Sequence, residues 1–247
     1  MAKIRWEIKL GVILALLSAF IYLLHFTFFH DMHHILIYLV GDIAFVPIEV
    51  LMVTVIIHRL LEIREKRRKL EKMNIVIGAF FSEIGTDLLT RFSDTDPNLD
   101  RIREFLIVEN DWDDDEFNRA DLKLREYEYE IDIEKIDLKG FRHILVKKRG
   151  FLVRLLENPM LLEHEAFTNL LQAVFHAMEE LENRRDIGNL PETDKLHLRG
   201  DLIRSYSLLV DQWLDYMRHL QGNYPYLFSL AMRLNPFDLE SDPVVNQ

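Results

Sequence analysis

Two acidic residues lie inside an apolar segment that is long enough to cross a membrane. Asp42 and Glu49 are seven residues apart within 35–57. A carboxylate in the hydrocarbon core costs roughly several kcal/mol unless it is paired, hydrated or protonated. One interpretation is that several copies assemble and acidic rings line a cation or proton pathway. The other is that Asp42 hydrogen-bonds His25 of the preceding apolar segment, while Glu49 is protonated in a helix interface.

A histidine-rich stretch joins the two apolar segments. His30, His33 and His34 share one face of a helical turn, and Asp31 lies among them. Neutral imidazoles bind Zn²⁺, Cu²⁺ or Ni²⁺, and a nearby carboxylate helps. The same residues would gain charge between roughly pH 7 and 5 and could sense pH. A third interpretation is that they only tolerate the membrane interface. We predict no resident cofactor, with a divalent metal at this cluster as the alternative.

Other carboxylate and histidine groups are weaker metal motifs. Asp111, Asp113 and Asp115 match the first ligands of an EF-hand loop, but Glu116 replaces the required Gly. An acidic helix start, favourable to the helix dipole, explains this run better. A second group suggests a metal centre in a helical bundle, although the paired Glu-x-x-His motifs of di-iron proteins are missing. Its members are Glu163, His164, Glu165, His176, Glu180 and His197.

The composition excludes several function classes. None of the 247 residues is Cys, which excludes disulfides, thiolate catalysis and Cys-based zinc sites. Residues 1–73 carry 10 Lys/Arg and 7 Asp/Glu, whereas the remainder carries 20 and 34. Such an acidic body argues against a nucleic-acid partner. The nine glycines form neither a phosphate-binding loop nor a Gly-x-Ser-x-Gly motif, so the chain is not predicted to be an enzyme.

The segments 10–29 and 35–57 are each predicted to span the membrane, since a helix of about 20 apolar residues crosses the hydrocarbon core. The link 30–34 contains no Lys or Arg, whereas basic residues lie on the other side of each segment. The positive-inside rule then places both termini in the cytoplasm and the protein in the cell (inner) membrane. A cleaved signal peptide and a buried soluble hairpin are the alternatives. The basic residues expected at the lipid headgroups are Arg64, Lys66, Arg67, Arg68 and Lys69.

The second apolar segment continues into an amphipathic stretch, 59–92, predicted to be a coiled-coil-like cytoplasmic extension. Steps of three and four keep one seam facing a partner helix, which predicts a homo-oligomer. Traced backwards, the register passes through Asp42 and Glu49. The seam residues are Leu60, Ile63, Arg67, Leu70, Asn74 and Ile77. The two polar members, Arg67 and Asn74, would fix the register of the helices. Alternatively, Arg67 reaches lipid headgroups and Asn74 is half exposed.

Helical periodicity dominates beyond the turn-rich stretch 93–98, which is predicted to be a domain boundary. The fold class is all-α: a transmembrane hairpin (1–58), the extended second helix, and a helical bundle domain (99–247). Asn158 is predicted to cap a helix that has Pro159 at its first position. The further predicted helices cover 99–108, 114–130, 139–157 and 193–221, the last ended by Gly222, and 131–138 is left ambiguous.

Three stretches, Gly41–Phe45, Asn74–Phe81 and Tyr224–Arg233, resemble a family of uncharacterised prokaryotic two-span membrane proteins with a helical cytoplasmic domain. The resemblance implies no known activity and no functional residues. We therefore predict a homo-oligomeric, membrane-anchored regulatory or scaffold module. Its partners would be the bilayer, further copies of itself and a cytoplasmic protein. The alternatives are a cation or proton channel and a metal-binding membrane sensor or metal-dependent enzyme.

Overall fold

The structure is a computed structural model that describes residues 2–244, and the side chains of residues 2–5, 67 and 69 lie outside that description. The contacts predicted for Arg67 and Lys69 therefore lie outside the described residues. The prediction of an all-helical chain is confirmed, with no strand between residues 2 and 244. The helices are α1 (Ala2–Phe29), α2 (Met32–Phe80), α3 (Thr86–Ser93), α4 (Asp114–Glu126), α5 (Leu138–Lys147), α6 (Arg149–Leu156), α7 (Pro159–Leu162), α8 (Glu165–Asn183), α9 (Glu192–Asn223) and α10 (Pro225–Arg233).

The unit Met1–Lys66 contains α1 and the first part of α2. Both helices are long and apolar enough to cross a membrane, by length and composition. Their apolar windows are not buried at all, unlike the core helix of a soluble protein. His30 joins the helices with a φ of 53°, in the left-handed region that histidine tolerates better than most residues. Helix α2 continues through Pro47.

The C-terminal unit, Arg67–Gln247, is built around the end of α2. Phe80 is fully buried, and its ring meets those of Phe81 and Phe167 edge-on at 5.4 and 5.3 Å between centroids. A π-helical turn, Phe81–Gly85, follows α2, and α3 continues the same wall of the core. The predicted separation of 59–92 from the C-terminal domain is therefore wrong, because the last turns of this stretch form the centre of that domain.

The turn-rich stretch 93–98 is not a boundary, because three of its six residues are buried in the fold. Ser93, Thr95 and Asp96 are all buried. The Ser93 hydroxyl donates to the Pro236 carbonyl at 3.1 Å, and the Tyr127 hydroxyl donates to the Asp96 carboxylate at 2.9 Å. Polar turn residues can enter a core when each finds such a partner. Composition alone could not show that these partners exist.

Several predicted helix limits need correction. Asn158 does cap a helix, since its side chain accepts the Met160 backbone N–H at 3.1 Å, but that helix is only α7. Helix α9 passes through Gly222 to Asn223, and Gly222 does not adopt a left-handed conformation, so the predicted glycine stop is wrong. The stretch 99–108 forms two 3₁₀ turns, Leu99–Arg101 and Arg103–Phe105, instead of one helix. The stretch 139–157 is divided into helices α5 and α6.

The acidic run at 111–115 begins a helix, as expected from the dipole argument. The Asp113 carboxylate accepts the backbone N–H groups of Asp115 and Glu116, and the Glu116 side chain accepts the Asp113 N–H in return. This reciprocal capping box satisfies donors that the first turn of a helix leaves free.

Replacing Asp113 with Ala is expected to lower the free energy of unfolding by about 1 kcal/mol, because the cap hydrogen bonds are lost. Asp113→Asn keeps an acceptor oxygen at the same place and is the matched control. Denaturant unfolding of both variants measures the difference. Equal stability of the Ala and Asn variants would show that the capping box contributes nothing.

Candidate ligand pocket

The C-terminal unit contains a partly enclosed, mostly apolar pocket of about 540 Å³. A volume of this size accommodates a small organic molecule. Its walls come from the end of α2, the π-turn, the start of α3, the second half of α9, and α10. The lining residues are Asn74, Ile75, Gly78, Ala79, Phe81, Ser82, Thr86, Trp213, Tyr216, His219, Leu220, Tyr224, Tyr226, Leu227, Leu230, Ala231 and Leu234.

Gly78 lets helix α9 approach α2 closely enough to form the pocket floor. A Cβ at residue 78 would lie 3.0 Å from the Tyr216 hydroxyl oxygen, tighter than nearly all real contacts. The Tyr216 ring also stacks on Phe81, with 5.2 Å between centroids and 11° between planes. The small residue at 78 and the stacked aromatic pair therefore fix the distance between the two walls.

His219 is the most informative polar residue of the pocket. Its Nδ1 lies 3.0 Å from the side-chain nitrogen of Asn74 and 3.2 Å from that of Asn223. Two amide donors directed at Nδ1 make it the acceptor, so in the neutral ring the proton is on Nε2. That Nε2 is buried and has no hydrogen-bond partner among the residues that the structure describes. His219 lines the pocket, and its unpartnered nitrogen is the donor that this residue can offer.

The pocket is electrically neutral. Its lining, drawn from the described part of the chain, includes no Asp, Glu, Lys or Arg. Burial lowers the pKa of His219, and the charge of Glu71, which raises it, has the smaller effect. Burial also raises the pKa of Tyr216, which therefore stays protonated at neutral pH. A ligand that fits would be uncharged, largely apolar and able to accept a hydrogen bond.

The two acidic residues of the second apolar segment lie on the surface of the single chain. Asp42 and Glu49 are both exposed. The His25 ring is parallel to that of His34, with 6.2 Å between centroids, and its Nδ1 has no hydrogen-bond partner among the described residues. The predicted Asp42–His25 hydrogen bond is therefore wrong. His25 lies opposite His34 of α2. Asp42 is eight residues further along that helix, about 12 Å away from this level. Acidic rings in an oligomer stay a prediction.

The histidine-rich stretch between the two apolar segments does not converge on a common point. The Asp31 carboxylate accepts the His34 backbone N–H at 3.0 Å, which caps the start of α2. His30 stands in the left-handed turn, with its ring 6.1 Å from that of Phe26. His33 is exposed. In the part of the chain that the structure describes, a group of three metal-ligand donors within 4.8 Å of one another lies in the C-terminal unit instead.

The predicted oligomer seam divides into two parts. Leu60, Ile63 and Leu70 are exposed on α2, so a partner helix there stays a prediction. Ile77 is buried in the core of its own chain and Asn74 bonds His219, so the seam prediction is wrong at both positions. Steps of three and four serve packing within a domain as well as between chains. The basic residues Arg64, Lys66 and Arg68 are exposed, as headgroup contact would require.

Comparison with known proteins gives two family matches. Residues 69–233 match the model of the C-terminal helical domain of the uncharacterised protein MJ1433, and residues 2–61 match that of its N-terminal helical domain. The chain is 46% identical to that protein, from the archaeon Methanocaldococcus jannaschii, over 237 residues covering 96% of this chain and 95% of the relative. The chain belongs to the MJ1433 family. No solved structure matches the chain.

The family match agrees with the resemblance to an uncharacterised prokaryotic family with a helical C-terminal domain. Two of the three stretches that carry this resemblance, Asn74–Phe81 and Tyr224–Arg233, meet at the pocket. The sequence pattern singles out neither Tyr216 nor His219. Their spacing on α9 is only that of an ordinary helix face, and the pocket exists because α10 folds back beside them.

Burial of His219 makes stability depend on pH in a defined direction. Its pKa lies below the ordinary value of 6.5, so the unfolded chain takes up the proton first as the pH falls. The contribution of His219 to the free energy of unfolding is complete above pH 6.5. It is lost as the pH falls toward the folded-state pKa. His219→Gln is expected to flatten the fall in unfolding free energy between pH 6.5 and 5.

Denaturant unfolding at a series of pH values measures this dependence. His143→Gln, which removes an exposed histidine of α5, is the matched control for the loss of any imidazole. Identical slopes for the His219 variant and the native chain would contradict burial of this ring.

Proposed function

We propose that the protein is a membrane-anchored receptor module whose C-terminal helical domain binds a small, uncharged, mostly apolar molecule that carries a hydrogen-bond acceptor. The observation that carries the proposal is the unpartnered Nε2 of His219, a residue that lines a neutral 540 Å³ pocket. A buried N–H without a partner costs free energy that a ligand oxygen would recover.

The membrane part of the proposal is supported by the two apolar helices. From Trp6 onward, α1 and the first part of α2 expose apolar side chains, which a bilayer would cover. Basic residues 64–69 follow the second apolar segment, where anionic headgroups attract Lys and Arg. Under this proposal both termini are cytoplasmic and the short link at 30–31 faces outward.

The regulatory part is supported by the path of one helix. Helix α2 contains the second apolar segment and also supplies Asn74 and Ala79 to the pocket wall. A ligand that binds the folded pocket stabilises the turns that form it. Occupancy would therefore change the stability of a helix that also belongs to the membrane segment. This arrangement suits a sensor better than a passive scaffold.

The proposed topology can be mapped because the chain has no native Cys. His33→Cys places a thiol in the outer link region, and Leu122→Cys places one on an exposed position of α4. In intact cells a membrane-impermeant maleimide should label only the first variant, and after permeabilisation it should label both. Equal labelling in intact cells, or labelling of Leu122→Cys alone, would contradict the topology.

The pocket can be tested with benzophenone, a neutral, apolar, photoreactive ketone with one acceptor oxygen. In the full-length protein in detergent, we expect photolabelled peptides from 74–86 and 213–234. Photolabelled peptides from residues 10–57 measure the benzophenone that is dissolved in the micelle, and they serve as the internal reference. Ala79→Phe fills the pocket from an exposed lining position and should reduce pocket labelling several-fold.

Gly200→Phe adds the same ring where no atom lies within 4 Å and is the matched control. His219→Phe keeps a ring of similar size but removes the donor, and should also weaken labelling. Pocket labelling that stays at the native ratio to 10–57 in both Ala79→Phe and His219→Phe would overturn the ligand proposal without affecting the topology result.

A further inference from the structure

A second polar cluster lies between helices α8 and α9, apart from the pocket. His176 and Glu180 are four residues apart on α8, and His197 and Asp201 are four residues apart on α9. Residues at this spacing share a helix face. The two helices pack against each other, and the four side chains meet across the contact. The group of histidines and carboxylates that the sequence suggests as a metal centre includes His176, Glu180 and His197, but not Asp201.

The Asp201 carboxylate is the centre of the cluster. Its Oδ2 lies 3.5 Å from Nε2 of His176 and 3.5 Å from Nε2 of His197. The side chain is only 7% exposed, yet Oδ2 has no hydrogen-bond partner among the described residues. Glu180 completes the group, with its Oε2 3.6 Å from His197 Nε2 and its Oε1 4.0 Å from His176 Nε2.

These distances are too long for hydrogen bonds between nitrogen and oxygen, which lie at about 2.7–3.2 Å. They are close to the separation between ligands of one ion. Ligands placed about 2.0–2.1 Å from a tetrahedral Zn²⁺ are about 3.3–3.4 Å apart. Two imidazole nitrogens and two carboxylate oxygens are also a donor set that zinc accepts. The ligand atoms of Glu180, His197 and Asp201 all lie within 4.8 Å of one another.

We infer that His176, Glu180, His197 and Asp201 form a divalent-metal site of the zinc class that joins helices α8 and α9. The unpartnered oxygen of Asp201 would coordinate the ion, since two imidazole rings flank it without bonding it. The two histidines are half exposed, at 46% and 57%, which gives the ion an entry path. His176 is 3.5 Å from Asp201 but lies outside the group of three donors within 4.8 Å of one another, so its ring moves inward when the ion binds. This inference does not depend on the proposed ligand pocket.

Arg184 holds the fourth ligand in position. Its Nη1 donates to Glu180 Oε2 at 2.7 Å, while its Nε and Nη2 donate to the two oxygens of Asp194 at 2.8 and 2.6 Å. The Arg184 guanidinium lowers the pKa of Glu180, so this carboxylate is ionised. A carboxylate fixed by an outer hydrogen bond is a common support for a metal ligand. The pair also leaves Glu180 Oε1 available for the ion.

The test uses the full-length protein in detergent, purified through a tag without histidine, stripped with a chelator and titrated with ZnCl₂ against a chromophoric competitor. We expect one tightly bound Zn²⁺ per chain by elemental analysis. His176→Gln with His197→Gln should abolish that stoichiometric ion. Asp201→Asn should weaken the affinity by more than the roughly 10–100-fold that loss of an outer-shell partner costs. Co²⁺ substitution should give the intense visible absorption of a tetrahedral site.

His30→Gln with His33→Gln is the matched control. It removes two exposed histidines from the stretch between the two apolar segments and should leave the zinc in place. Circular dichroism of the stripped proteins checks that each variant is folded; if Asp201→Asn unfolds, the exposed histidine pair still decides the result. Native protein that binds no stoichiometric zinc, or a His176/His197 variant that binds as much as the native chain, would overturn the inference and leave the cluster as ion pairs only.

Discussion

The C-terminal domain depends on burial of the last turns of helix α2. Phe80 and Ile84 are enclosed on all sides, and Phe81 packs against both Phe80 and Tyr216. Burying side chains of this size stabilises a fold by roughly 1.5–3 kcal/mol each. The same turns supply one wall of the pocket. Helix α2 thus begins in the apolar segment and ends in the core of the C-terminal unit, and both family matches include part of it.

Helix α9 contributes to both sites of that domain, the pocket and the cluster around Asp201, while keeping them apart. Asp201 is near its beginning and His219 near its end, about 27 Å away along the axis. The environments of these residues are opposite in character. Asp201 faces two imidazoles, a second carboxylate and Arg204, whereas His219 faces a wall without charged residues. A single helix therefore presents an ionic cluster to α8 and a neutral cavity to α10.

Sequence periodicity predicted the helices well where one face is continuously apolar. Phe167, Leu170 and Met178 of α8 are all buried as their spacing required. Periodicity could not identify the partner of an apolar face, so Ile77 was assigned to a second chain although it packs within its own. Nor could it detect Asp201, which becomes a candidate ligand only when α8 brings His176 beside it. Pairing of helices distant in sequence is the information that the pattern lacks.

The π-turn at Phe81–Gly85 accommodates one extra residue in an otherwise regular helical path. In a regular helix an extra residue would rotate everything that follows by about 100° about the axis. The wider turn absorbs that residue, and Leu88, Leu89 and Phe92 beyond it are buried in the core. A homologous chain one residue shorter here should form a regular helix with the same face inward. Changes of length between residues 74 and 92 should therefore be confined to the turn itself.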